Sequence, residues 1–429
     1  MNEPKSLNDK AWESLFEKYD ILNRIDMDGC FQISAAQIKE FREPRLMAKF
    51  DHTINLPKIF AENKLSILPV TRGDYVISHF DAYHKFETAD TAITKVSIPS
   101  HIQSLDYNNI TSEAFALNCA AAAGIIEDFT DDEQIIPTVS GRMSSDYFRF
   151  NIMDTLSKKH REVVVYHSQI EIDAAYEGIR YLSLFEAKRD LSEDFLIRQL
   201  YYPYRTWRNS VEKDVKTIFL VYSNGIYRLY QYKFENPMDY SSLVLVKQRN
   251  YTIEDTAITS EDIQKILQST AFIPEPSIPF PQADSFERVI NLCELLNESS
   301  MNRDEVTEKY DFNVRQTNYY TDAARYLGLV EKSKENGIPC YHLTENGEKS
   351  LRKGYKQRQL DFCRRILQHK VFADVLKMYF ESGVMPSNGE ITRIMKQSDL
   401  YKVKSDDTFK RRASTIRGWI EWIVGLINE

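Results

Sequence analysis

Four prolines, Pro274, Pro276, Pro279 and Pro281, fall within eight residues in the run FIPEPSIPFPQADS. Each locks φ and removes a backbone donor, so neither a helix nor a central strand continues through this stretch. The chain must therefore be built on two sides of it. Upstream the pattern is strand-rich, in RGDYVISHFDAYHKFE (Arg72 to Glu87), REVVVYHSQIEIDAAYE (Arg161 to Glu177), YLSLFEAK (Tyr181 to Lys188) and TIFLVYSNGIYRLYQYKF (Thr217 to Phe234). The last holds Asn224-Gly225 between two β-prone runs, the strongest local hairpin signal. Downstream the spacing turns helical, in SFERVINLCELLNES, TNYYTDAARYLGL and LDFCRRILQHKVFADVLKMYFESG. The expected fold class is α/β followed by α.

The 429 residues, 42% of them apolar, suffice for several packed cores. No apolar run approaches the ~18 residues of a membrane-spanning helix. The first residues, MNEPKSLNDKAWESLFEKYD, show no basic flank followed by an apolar core, so no export signal is read and a cytoplasmic location is expected. Five scattered cysteines form neither a disulfide framework nor a zinc cluster, and are read as reduced core thiols. His79 and His84 are the nearest thing to a histidine pair and are read as strand packing. The net charge of −8 hides an asymmetry, because from Arg352 onward there are 16 Lys and Arg against 9 Asp and Glu. A basic tail on an acidic body is the distribution expected where only the tail meets a polyanion.

The chemistry concentrates in QIEIDAAYEGIRYLSLFEAK, Gln169 to Lys188. Alternate side chains of a strand share a face, so Glu186 and Lys188 point one way while Phe185 and Ala187 point the other. If the preceding strand pairs with this one as a hairpin, Asp173 reaches the same edge. Glu171 shares the face of Asp173 and is a rival for its role. Two carboxylates and an ammonium on adjacent strands suit phosphodiester hydrolysis assisted by Mg2+, in which the carboxylates hold the ion and the lysine positions or deprotonates a water.

Asp173 followed by Glu186-Ala187-Lys188 on consecutive strands, then a helix, resembles the PD-(D/E)xK nuclease superfamily, and IEID, LFEAK and DFLIRQLYYPYR look like restriction endonucleases that join this core to a winged helix. Ile172 stands where the motif's name has proline. The resemblance implies a mixed sheet flanked by helices with Tyr147 to Ile152 as first strand, a helix starting near Ser192, Glu193 and Asp194, and Gln199 on that helix beside the metal site. Asp173, Glu186, Lys188 and Gln199 are then the expected catalytic residues, and Asp173, Glu186 and Glu171 the expected metal ligands. Arg198, Tyr202 and Arg205 are candidate phosphate contacts.

Beyond the prolines, Ser285 to Leu351 has the order of a winged helix: a first helix from Phe286, a second from Arg303 to Tyr310, a third starting near Asn313, and a hairpin turning at Asn336-Gly337. Arg315, Gln316, Asn318 and Tyr319 lie early on the third helix and suit base edges and phosphates. In the tail, Ile416, Trp419, Ile420 and Ile423 recur at core spacing, while Lys410, Arg411, Arg412 and Arg417 occupy the first turns of the same helix. Cations there oppose the helix dipole, which a polyanionic partner relieves.

The chain is thus divided into an N-terminal α/β region (1–137, a candidate for DNA recognition), a PD-(D/E)xK core (138–272), a proline-rich linker (273–284), a winged helix (285–352) and a basic helical domain (353–429). The function expected from the resemblance is that of a type II restriction enzyme: a sequence-specific, Mg2+-dependent endonuclease acting on double-stranded DNA as a homodimer, its host protected by a cognate DNA methyltransferase. The alternatives are a repair nuclease, a junction resolvase, or a winged-helix regulator whose nuclease fold has decayed.

Overall fold

The structure is a computed structural model and describes residues 6–87, 92–253, 257–310, 312, 314–335 and 337–427. Residues 7–78 form a first unit. Its leading helix, Leu7–Tyr19, starts at Ser6 with a reciprocal cap to Asp9 and buries Trp12, Leu15 and Phe16. Trp12 meets Phe60 edge to face at 4.7 Å. These rings cover a three-stranded antiparallel sheet in which Asp74–Ser78 lies between Phe31–Ser34 and Ser66–Pro69.

The second unit is a seven-stranded mixed sheet of β1 (Ile93–Lys95), β2 (Ile136–Ser144), β3 (Gln169–Glu177), β4 (Tyr181–Lys188), β5 (Asp214–Ser223), β6 (Ile226–Phe234) and β7 (Leu243–Thr252). Its order, β2-β3-β4-β5-β6-β7-β1, follows the chain from β2 to β7. Within that run only β4 and β5 are parallel, and the crossover between them carries α2 (Arg198–Arg208); α1 (Glu113–Ala122) precedes β2. The β5–β6 turn is the expected one, with Asn224 and Gly225 both at positive φ (54° and 77°). Alternation in β4 sends Phe185 and Ala187 into the core under α1 and Leu182 and Leu184 to the α2 face. Glu186 and Lys188 continue the α2 face to the end of the strand.

Two expectations about this region need correction. Phe148–Met153 pairs with His160–Val165 in a separate two-stranded ribbon, so the strand that precedes β3 in the sheet and pairs with it is β2 rather than Tyr147 to Ile152. The strand-rich run Arg161 to Glu177 accordingly contributes to two sheets, the ribbon and, from Gln169, the seven-stranded sheet. Asp194–Leu196 is a short strand paired with Tyr83–Lys85, and the helix begins only at Arg198. Asp194 is drawn away from capping because its carboxylate accepts from the Thr53 backbone N–H (3.0 Å) and hydroxyl.

The third unit begins with α3 (Phe286–Leu296), α4 (Arg303–Lys309) and α5 (Val314–Tyr326). A three-stranded sheet follows, with Ile338–Leu343 between Met301–Asn302 and Val330–Glu335. Asn313 and Asn336, expected at the start of the third helix and in the hairpin turn, lie outside the described residues. The helical spacing from Leu360 to Gly383 is carried by two helices, Tyr355–Leu367 and Lys370–Ser382. The final long helix is α6 (Asp406–Gly425), capped by Ser405. One core runs from Ile258 to Ile423 and includes the proline segment, where Phe280 and Ala283 are buried. The Trp419 indole N–H donates to the Ala283 carbonyl at 2.6 Å, and Phe286 packs on Trp419 at 5.0 Å. The prolines exclude regular structure as expected, yet the segment is packed rather than a spacer, and residues 285–352 and 353–427 share one core.

This helical half is docked on the sheet. Asn224 and Gln359 exchange two buried side-chain hydrogen bonds of 2.8 and 2.9 Å. A Cβ on Gly225 would stand 2.9 Å from Tyr355 Cδ2, so the tight turn also permits this approach. All five cysteines are free, but Cys30 is exposed rather than in a core. Among the described residues no helix is long and apolar enough to cross a membrane.

Candidate active-site cleft

A cleft of about 400 Å³ opens at the end of β4, lined by Asp173, Glu186, Lys188, Gln199 and Glu171. Strand alternation groups Asp173, Glu171, Glu186 and Lys188, and the family resemblance adds Gln199. A β-bulge on β3 helps place them. Between the pairs Gly141↔Ile172 and Val139↔Ala175, β2 has one intervening residue where β3 has two, Asp173 and Ala174. The extra residue breaks the alternation, so that Ile172 and Ala175 share a core. At the bulge the Asp173 carboxylate, rather than a β3 carbonyl, accepts the Ala187 N–H at 2.7 Å. Asp173 is thereby fixed against the residue between Glu186 and Lys188.

Glu186 is only 8% exposed. Its carboxylate accepts from Lys188 Nζ at 2.5 Å and Gln199 Nε2 at 2.7 Å. Burial pushes the Glu186 carboxyl up to about 7, with Lys188 pulling back and Asp173 and Asp51 pushing the same way as burial. For Lys188 burial acts downward, but Glu186, Asp51, Asp173 and Glu113 outweigh it and hold the ammonium well above the usual lysine value. Lys188 therefore keeps its proton. Among these side chains alone it is a cation and donor to Glu186.

Four carboxylates face one ammonium, an excess of negative charge in a buried place. Two of the four, Asp51 and Glu113, were not singled out from the sequence, because they lie far from the Glu-x-Lys motif and carry no motif of their own. Glu113 opens α1, and its carboxyl is raised by burial, with Lys188 pulling it down and Asp173 pushing it up. Asp51 belongs to the first unit, as do Lys49, His52 and Asn55, which also line the cleft. The hard carboxylate oxygens of Asp173 and Glu186 fit Mg2+. The buried Oε1 of Gln199 has no hydrogen-bond partner among the described residues and supplies another unused oxygen donor. No three His, Cys, Asp or Glu side chains among those residues are grouped to hold a metal by themselves. Asp173 and Glu186 would hold it, leaving other positions to water and phosphate oxygen, which Mg2+ favours.

The remaining candidates divide. Glu171 is half exposed and paired with Arg142 at 3.2 Å, on the rim rather than at the centre. Arg198 lines the cleft with its Nε buried and unpartnered among the described residues. Arg205 is buried, donating to the Arg149 carbonyl (3.0 Å) and Tyr201 Oη (2.8 Å), and Tyr202 is buried with its hydroxyl on the Pro69 carbonyl (2.9 Å). Both Arg205 and Tyr202 hold the fold and are withdrawn as phosphate contacts. On α5, Thr317, Tyr320 and Thr321 are buried, which turns Arg315 and Asn318 outward, with Gln316 and Tyr319 partly exposed. Arg315 Nε donates to Tyr319 Oη at 2.6 Å.

On α6, Lys410 and Arg411 are exposed, while Arg417 is paired with Glu421 at 2.9 Å. Arg412 is partly buried, and that burial lowers its pKa against the pull of Tyr319 and Asp322 on α5. The basic turns of α6 and the exposed face of α5 therefore adjoin.

Three family models match consecutive parts of the chain, each a domain of unknown function: DUF6996 over residues 9–77, DUF6997 over 78–252 and DUF7226 over 288–428. No curated protein and no solved structure matches. The cleft draws on all three matched segments, through Asp51 and His52, through Asp173, Glu186 and Lys188, and through Lys309.

Proposed function

We propose that this protein is a Mg2+-dependent endonuclease of the PD-(D/E)xK type acting on double-stranded DNA, with a winged helix in its C-terminal half. The observation that carries the reading is the meeting of Asp173, Glu186, Lys188 and Gln199 in one cleft, on two antiparallel strands followed by a crossover helix to a parallel strand. Bound there, Mg2+ would neutralise phosphate charge and lower the pKa of a water. Asp173 and Glu186 would hold the ion, Gln199 orients Glu186 through its amide, and the Lys188 ammonium would donate to the nucleophile or to a phosphate oxygen. Arg198, Arg142, Lys49 and Lys309 around the cleft favour a polyanionic substrate. Helix α5 suits a major groove, and the neighbouring Lys410 and Arg411 suit phosphates.

One such site cuts one strand, so a double-strand break calls for a twofold dimer. A site-specific enzyme of this kind needs a DNA methyltransferase in its host, and the reading includes both partners. The test is a comparison of Asp173→Asn, Glu186→Gln and Glu171→Gln with the parent protein, scoring DNA cleavage and duplex binding separately. The first two should cut slower by orders of magnitude while binding duplex as before, and Glu171→Gln should lose less. Duplex binding by the parent with no cutting in Mg2+ selects the non-catalytic regulator instead.

A further inference from the structure

The turn that leaves β4 directly after Lys188 is held from outside its own unit. Asn291, on α3, is completely buried. Its amide has three hydrogen bonds of its own and a share in a fourth. Nδ2 donates to the Arg189 carbonyl at 2.6 Å and to Glu294 Oε2 at 3.2 Å. Oδ1 accepts the Leu191 N–H at 3.0 Å and shares the single Tyr310 hydroxyl proton, at 2.8 Å, with the Arg288 carbonyl, also at 2.8 Å. The Leu191 N–H decides which end of the amide is oxygen, so the orientation is not arbitrary. Tyr310 follows Lys309, which lines the cleft, and stands between α4 and α5. An apolar residue would fill this helix-to-sheet contact. A satisfied amide instead fixes the backbone on both sides of Asp190, itself a cleft residue.

We infer that Asn291, with Tyr310 behind it, is a positioning residue: it ties the helical half that carries α5 to the exit of the strand bearing Glu186 and Lys188, and so sets where Lys188 stands. The inference rests on the nuclease reading for its kinetic consequence. Without Asn291 the Arg189 carbonyl and Leu191 N–H lose their partners, and the turn two residues from Lys188 loosens. A small displacement of a catalytic group lowers turnover on the order of 10- to 100-fold while leaving substrate binding intact.

The experiment uses the full chain as the parent protein, Asn291→Leu and Tyr310→Phe. Steady-state cleavage of plasmid DNA in Mg2+ gives kcat and KM, and amide hydrogen exchange is read over residues 187–196. Asn291→Leu should lower kcat at least about tenfold with KM unchanged within about twofold. Tyr310→Phe, the milder change, should lower kcat less. In both variants exchange should speed up within 187–196, with α1 and β5 unaffected. Unchanged kcat in Asn291→Leu overturns the inference, as does faster exchange spread over the whole sheet. If the parent protein cuts nothing, the nuclease reading falls by itself. Exchange confined to 187–196 then upholds the tether, and unchanged exchange there removes it.

Discussion

Replacing Glu186 by Gln separates the charge of the cleft from its shape. The carboxyl stands at about 7 against an ordinary 4.5. That gap of roughly 2.5 units, at about 1.4 kcal/mol each, makes the ionised form about 3 kcal/mol less favourable in the folded chain than in the unfolded one. Between these two pKa values the folded state holds a proton that the unfolded state has released. Stability from this group is therefore fully present below about 4.5 and is lost as pH rises through about 7. Gln cannot ionise and escapes that loss, but Lys188 gives up its 2.5 Å partner and keeps only Asp51, Asp173 and Glu113. The net gain is therefore smaller, about 1 to 2 kcal/mol at pH 8, or roughly 1 to 2 °C in Tm for a chain of 429 residues. The assay is thermal melting of both proteins in chelator from pH 5 to 8. Glu186→Gln should melt higher at pH 8, with the gap closing toward pH 5. A variant that melts lower at pH 8, or a gap independent of pH, refutes the reasoning.

His369 is buried against Tyr326, its ring nitrogens have no partner among the described residues, and burial lowers its pKa to about 4. The unfolded chain binds a proton here that the folded chain refuses, so stability should fall by up to about 3 kcal/mol as pH drops from about 6.5 to 4, and His369→Phe should flatten that limb of the melting curve. A fragment ending near Pro279 loses the Asn224–Gln359 pair and the cover over the β5–β6 turn; it should be poorly soluble or melt well below the full chain, measured by circular dichroism. Lys410→Gln and Arg411→Gln should each reduce the salt slope of duplex binding by about one, with Arg417→Gln doing less because Glu421 already holds it, whereas Arg315→Ala should relax specificity at one base pair by about 1 to 3 kcal/mol.

The inner site was legible where chemistry and local geometry coincide. Glu186 and Lys188 alternate with two apolar neighbours, and a strand buried under a helix on each face leaves little freedom in how that pattern is oriented. Asn224-Gly225 needs two positive φ values that few other dipeptides supply, so the hairpin was readable too. The β2 strand was not, because IPTVSGRMS is polar at an exposed edge and lacks alternation, while Phe148 to Met153 alternates well and belongs to another sheet. Ser192-Glu193-Asp194 has the composition of a helix cap, but Asp194 is claimed by Thr53, more than a hundred residues earlier. Asp51, Glu113 and Asn291 act through tertiary contact alone, and nothing adjacent to them in sequence signals the cleft.

Digestion of unmodified bacteriophage DNA by the purified full chain tests the central claim most directly, run with Mg2+, with chelator, and with Asp173→Asn in place of the parent. The account predicts discrete fragments from the parent protein in Mg2+ alone. Intact DNA in all three reactions, or fragments that persist with Asp173→Asn, would contradict it.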